Sequence, residues 1–297
     1  MRYLAALVLT ISMAAPTAAY AWGATGHAII AELAQRRITS SGTPAPTSTL
    51  TDLLGTGVSL ASIASWADDY ALIPAGKKTR GWHRIAIDLG ATEKNWKGDC
   101  KDVGEGDCLP NALARQINTL ADKGAGRQAR VLALKYVVNL VGELTDPLNC
   151  VERNDDNGDA ALKVDFMGED AAGSPLLGRD GTPLHQLVTL RELWDSVLID
   201  NHAVGFGSYV DELESAVPTV ATFTVADPTK TLDNVKPWVD DCHKLGVLTY
   251  VQLPGGTGTP VPLGPKYQRF AQPIIDQQLA LAASQLASVL NYALGKN

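Results

Sequence analysis

The sequence predicts an all-α fold: a single helical domain with a possible small β-hairpin. Two kinds of observation carry this. Apolar residues recur at three- and four-residue intervals over His27 to Arg37, Ser59 to Tyr70, Asn111 to Asp122, Arg127 to Leu144, Leu184 to Asp200 and Pro265 to Leu294, the repeat that gives a helix one buried face. Between them, the stretches Gly173 to Pro183 and LPGGTGTPVPLGP (Leu253 to Pro265) carry the Gly and Pro signals of loops. No internal repeat or long linker divides the chain. The last helical run, with QQLALAASQLASVLNYAL, reads as a long core helix, and AALKVDF (Ala160 to Phe166) alternates as a short strand does.

The first residues read differently. Arg2 precedes an apolar run from Leu4 to Met13 and small residues ending Ala19-Tyr20-Ala21, the pattern of a secretory signal peptide. That run is too short to cross a bilayer, which takes roughly 18 apolar residues or more. The expected organisation is a signal peptide at 1–21 and a helical domain at 22–297, with Trp22 as the new N-terminus and a periplasmic or secreted product.

Of the 297 residues, about 276 would remain after cleavage, 45% of the whole chain being hydrophobic, enough for a substantial core. The net charge of −7 argues against a passive nucleic-acid coat, since phosphate contacts call for a basic excess. It does not argue against a metalloenzyme, whose bound ions bring their own positive charge. Cys100, Cys108, Cys150 and Cys242 fit an oxidising compartment with up to two disulfides. Three pairings are open; a local bridge across CKDVGEGDC is preferred. No C-x-x-C pair is present to suggest a cysteine metal site.

Candidate chemistry starts at LKYVVNLVGELTDPLN (Leu134 to Asn149). Asn139 and Glu143 lie four apart, on one face of an otherwise apolar helix. Either that face meets solvent, or the polar groups are buried and partnered, because an unpartnered buried polar group is costly. The segment NDDNGD (Asn154 to Asp159) fails the EF-hand calcium spacing, which needs an acidic residue at Arg153 and a Glu at Val164.

The stretch from Leu134 resembles the pattern LKxxxHxxGDxHQPLH of the S1/P1 nuclease family, keeping Leu134, Lys135, Gly142, Pro147 and Leu148 in register. Trp22-Gly23 with His27 is similar to the family's mature start W-G-x-x-G-H. Ser65-Trp66-Ala67-Asp68, Trp82-His83 and Trp194-Asp195-Ser196 match further signatures, and the run from Leu263 resembles its closing helix. The similarity spans Trp22 to near the C-terminus. It implies the family's helical, phospholipase C-like fold and a zinc-dependent endonuclease that hydrolyses single-stranded DNA or RNA and 3′-nucleotides.

By that resemblance, three zinc ions would share a cleft. The first would use Asp68, His83, Asn139 and Glu143. The second would use His27, Glu143 and the free amine and carbonyl of Trp22. The third would use Asn149, Arg191 and Asp195. The sequence departs from the pattern at Asn139, Asn149 and Arg191, where the family has histidine, and at Glu143, where it has aspartate. Asparagine is a poor zinc donor and arginine cannot ligate a metal. The expectation is therefore a weakened zinc site with fewer than three ions. Trp22, His27, Asp68, His83, Glu143 and Asp195 are the remaining ligands, and Asp68 is also catalytic. Arg191, four residues before Asp195 on one helical face, is expected to pair with it and to offer a phosphate-binding fork. His185, in Pro183-Leu184-His185, is an alternative ligand if an insertion follows it. His202 and His243 match no ligand position. The partner is a single-stranded nucleic acid or nucleotide, the chain a monomer without a membrane span. The competing reading is a catalytically inactive binding protein on the same fold.

Overall fold

A computed structural model describes residues 21–42, 44–91, 100, 107–153, 162–170, 172–203, 205–253 and 260–295. Residues 1–20 of the expected signal peptide and the acidic segment NDDNGD lie outside them. The helices are α1 (Ala24–Ser40), α2 (Pro44–Leu54), α3 (Trp66–Leu72), α4 (Leu109–Ala121), α5 (Arg127–Glu143), α6 (Leu190–Glu192), α7 (Leu198–His202), α8 (Phe206–Glu214), α9 (Thr231–Val251) and α10 (Pro265–Gly295). Short 3-10 segments at Pro74–His83 and Pro147–Cys150, and a π-turn at Leu193–Val197 joining α6 to α7, carry much of the chemistry.

The long helices make the frame. α1 packs along α10, α4 along α5, and α9 covers both α4 and the Pro147–Cys150 segment. α1 buries His27 together with Ile29, Ile30, Leu33 and Ile38. From Ala133 onward α5 is buried on almost every side, as a helix is when neighbours surround it. Asn139 and Glu143 are therefore internal, not a solvent face. Gly246 lets α9 approach the Pro147–Cys150 segment closely: a Cβ there would sit 2.5 Å from the Pro147 carbonyl oxygen.

Several expected elements change shape. Ser59 to Tyr70 is not one helix but a 3-10 turn (Ala61–Ile63) followed by α3. The run from Leu184 does not begin as helix: Gln186–Thr189 is strand β2, and the helix starts only at Leu190. The reason is a capping box, in which the Thr189 hydroxyl accepts from the Glu192 amide while the Glu192 carboxylate accepts from the Thr189 amide. In place of a simple hairpin there is a three-stranded sheet, β2-β1-β3. β1 (Lys163–Phe166) pairs antiparallel with β2 and parallel with β3 (Val261–Leu263). Helices α2, α8 and α9 were not anticipated; α2 is crossed by Pro46 and α9 holds Pro237. Disulfides join Cys100 to Cys108 and Cys150 to Cys242, so the expected local bridge is present. No helix among the described residues is long and apolar enough to cross a membrane.

Candidate metal centre

Four elements converge on one buried cluster. α1 supplies His27, the first turn of α3 supplies Asp68, the end of the Pro74–His83 segment supplies His83, and the last turn of α5 supplies Glu143. His27 Nε2 lies 3.6 Å from Asp68 Oδ2 and 3.6 Å from Glu143 Oε1. His83 Nδ1 lies 3.1 Å from Asp68 Oδ1 and 3.1 Å from Glu143 Oε1. A tetrahedral zinc ion with bonds of about 2.0–2.1 Å sets its ligands roughly 3.3–3.4 Å apart, so these spacings suit a cation. Two imidazoles and two carboxylates are also a donor set that suits zinc. The donor atoms of His27, Asp68 and Glu143 lie within 4.8 Å of one another.

The electrostatics are those of a tightly coupled acid–base group. Burial would depress the His83 imidazole, but its hydrogen bonds with Asp68 and Glu143 outweigh that and push it up to about 9. His27 is likewise raised, burial being overcome by Asp68 and Glu143. Burial alone would raise Glu143, yet the two histidines hold it down at about 2. Burial wins at Asp68, which is raised despite the His27 charge. A metal entering this group must displace the protons that the raised histidines favour. Metal uptake is expected to release a proton from His83 and to strengthen about tenfold per pH unit as pH rises toward 9. Calorimetry in buffers of different ionisation heat measures this; uptake without proton release would contradict it.

Other predicted ligand positions are placed differently. Asn139 directs its amide nitrogen at the cluster, donating to Asp68 Oδ2 at 2.8 Å and to the Ala64 carbonyl at 3.2 Å. The carbonyl partner accepts only, which fixes the amide orientation. Asn139 therefore positions Asp68 and turns no oxygen toward the centre. Trp22 is fully buried at φ 44°, its indole donating to Thr145 Oγ1 at 2.9 Å. The amide before it, Ala21, donates to Glu143 Oε2 at 3.2 Å, so the start of the family-like sequence reaches the cluster.

Asp195 and Arg191 form a second group with Asn149 and with Asp146, a residue that no sequence motif marks. Asp146 caps the Pro147–Cys150 segment by accepting from the Leu148 amide at 2.7 Å. Asp146 and Asp195 face one another: burial raises Asp195 well above the usual carboxylate range, Asp146 adding to it, and burial raises Asp146 against the Arg191 charge. In sequence Asp146 reads only as a turn residue before Pro147. Arg191 is 2% exposed. Its terminal nitrogens donate to Asn149 Oδ1 at 2.6 Å and to the Leu148 carbonyl at 2.9 Å. The expected direct hydrogen bond from Arg191 to Asp195 is not made, and an open phosphate fork is not presented.

His185 lies away from both groups. It stands beside β2 with its side chain 57% exposed, paired with Asp165 at 2.9 Å, so the insertion alternative finds no support in the geometry. His202 packs on Tyr209, and His243 donates from Nε2 to the Asp88 carbonyl at 3.0 Å; both act in packing.

Gly142 decides how closely α5 approaches α1. A Cβ there would lie 2.9 Å from His27 Nδ1 and 3.0 Å from its Cε1. Gly142→Ala is expected to cost about 1–3 kcal/mol of stability and, by pushing the His27 ring, at least about tenfold in metal affinity. Urea denaturation and metal titration on one preparation check both.

A sequence model of S1/P1 Nuclease matches residues 22–295. Nuclease P1 of Penicillium citrinum is 28% identical over 285 residues, covering 91% of this chain and 97% of that protein. Nuclease S1 of Aspergillus oryzae is 25% identical over 286 residues, 92% of this chain and 91% of that protein. Nuclease PA3 of a Penicillium species is 36% identical over 131 residues, 43% of this chain and 47% of that protein. With its match running from Trp22 almost to the last residue, the chain belongs to the S1/P1 nuclease family.

Proposed function

We propose that the protein is a metal-dependent nuclease that hydrolyses phosphodiester bonds of single-stranded DNA or RNA and the phosphate of 3′-nucleotides. The observation that carries this is the convergence of His27, Asp68, His83 and Glu143 from four separate elements into one buried donor set, in a chain of this family. A zinc ion held by them supplies Lewis acidity and lowers the pKa of water. His27 and Glu143 anchor the inner side, and His83 is held between both carboxylates. Asp68, with the most accessible side chain of the four at 12%, accepts a proton from the attacking water. Asp195 stands behind the centre with Asp146, and Arg191 supplies fixed positive charge toward the phosphate rather than a free fork.

The mature chain begins at Trp22, whose liberated amine joins His27 and Glu143 as a donor. The leader, the two disulfides and the family match beginning at residue 22 support export to the periplasm or the medium. The protein acts as a monomer.

A second reading is a binding protein that keeps metal but not hydrolysis. It is favoured by one observation, that Asn149 and Arg191 are engaged with protein partners where the family pattern has histidines. An assay on single-stranded DNA separates the two. Cleavage that stops with chelator, returns with zinc and is lost in Asp68→Ala supports the nuclease. Metal binding without cleavage supports the binding protein, and cleavage indifferent to chelator overturns both.

A further inference from the structure

We propose that the guanidinium of Arg191 is a fixed cation built into the site in place of a metal ion, and that the centre beside it holds a single ion. This rests on the metal-dependent reading above. Arg191 is sealed from solvent on the Leu148–Asn149 turn, which buried Asp146 caps, and stands four residues before buried Asp195. Paired buried carboxylates call for a compensating cation, and the chain supplies one covalently. Among the described residues, the group that gathers three ligating side chains is His27, Asp68 and Glu143; Asp195 belongs to no such group.

Asn149 links the two halves. Its Oδ1 accepts from Arg191 at 2.6 Å and its Nδ2 donates to Glu143 Oε2 at 2.5 Å. A guanidinium only donates and a carboxylate only accepts, so the amide has one possible orientation. That hydrogen bond, charge-assisted and short, occupies the second oxygen of Glu143. Only Oε1 is left to face His27 and His83. A carboxylate that gives one oxygen to each of two ions needs both free; with Oε2 engaged by Asn149, Glu143 turns only Oε1 to the centre. Asn139 adds no second binding position either, because its amide nitrogen is what it turns inward.

Metal counting by mass spectrometry on mature protein equilibrated with zinc and then dialysed tests this. One ion per wild-type chain is expected, and a second in the double variant Asn149→His/Arg191→His, which removes the guanidinium and frees Glu143 Oε2. Two or more ions in the wild type overturn the inference and leave the metal-dependent reading standing. No ion overturns both. A folded double variant that stays at one ion overturns the role given to Arg191. Should that variant not fold, anomalous scattering from zinc-soaked wild-type crystals decides: one peak beside His27, Asp68, His83 and Glu143 is expected, and a peak at Asp195 overturns the proposal.

Discussion

Glu143→Gln is expected to remove metal binding by about a thousandfold or more and to take hydrolysis below detection. The substitution keeps the shape of the side chain, so the effect isolates charge. Glu143 Oε1 is the atom that both histidines approach, at 3.6 Å and 3.1 Å, and an amide oxygen is a far weaker zinc donor than a carboxylate. Second-sphere changes at metal sites typically cost 10–100-fold; removing a shared ligand exceeds that.

The same variant has a pH signature in the metal-free protein. Glu143, held at about 2, contributes stability that is full above its unfolded pKa near 4.5 and is lost as pH falls toward 2. His83, raised to about 9, contributes stability that is full below its unfolded pKa near 6.5 and is lost as pH rises through 9. The two contributions coexist between about pH 4.5 and 6.5. Glu143→Gln should therefore destabilise most in that window and progressively less toward pH 9, where His83 is already losing its proton. Denaturant midpoints of chelated protein at pH 5.5 and 9 measure this. An equal loss at both would mean that Glu143 acts through packing rather than through the ion cluster.

The sequence shows residues better than it shows the networks that use them. Periodicity locates α1, α4, α5 and α10 because each is long and one-sided enough to reveal its repeat. It misplaces the start of the helix before Asp195, where the local Thr189–Glu192 capping box overrides the apolar spacing. It also misses α9, whose internal Pro237 reads as a break although the helix continues around it. At the site, His27, Asp68, His83 and Glu143 are legible from motif spacing, and the structure draws them together. Asp146 is not, because in sequence it looks like a turn residue before proline, and only folding sets it against Asp195. The placement of Arg191 is equally invisible: four-residue spacing suggests a partner on its own helix, whereas its acceptors come from the Leu148–Asn149 turn.

That turn is also where the largest stability effect is expected. Cys150 lies one residue beyond Asn149 and is bonded to Cys242 of α9, 92 positions away. Closing a loop of that length restricts the unfolded chain by about 4–5 kcal/mol in the chain-entropy view. The Cys100–Cys108 bridge, with a separation of 8, restricts it by only about 2–3 kcal/mol. Cys150→Ser with Cys242→Ser should lower the melting temperature by about 10–15 °C, and removal of the shorter bridge by roughly half as much. The long bridge has a second consequence. It clamps the Pro147–Cys150 segment under α9, where Gly246 leaves no room for a Cβ against the Pro147 carbonyl. Loosening the clamp frees Asn149 from Glu143, so the variant should also bind zinc more weakly, while loss of the Cys100–Cys108 bridge should leave zinc affinity within about twofold. Scanning calorimetry and zinc titration on both pairs of variants test the two consequences together. Equal melting losses would remove loop length as the cause, and equal zinc affinities would remove the connection between the clamp and the centre.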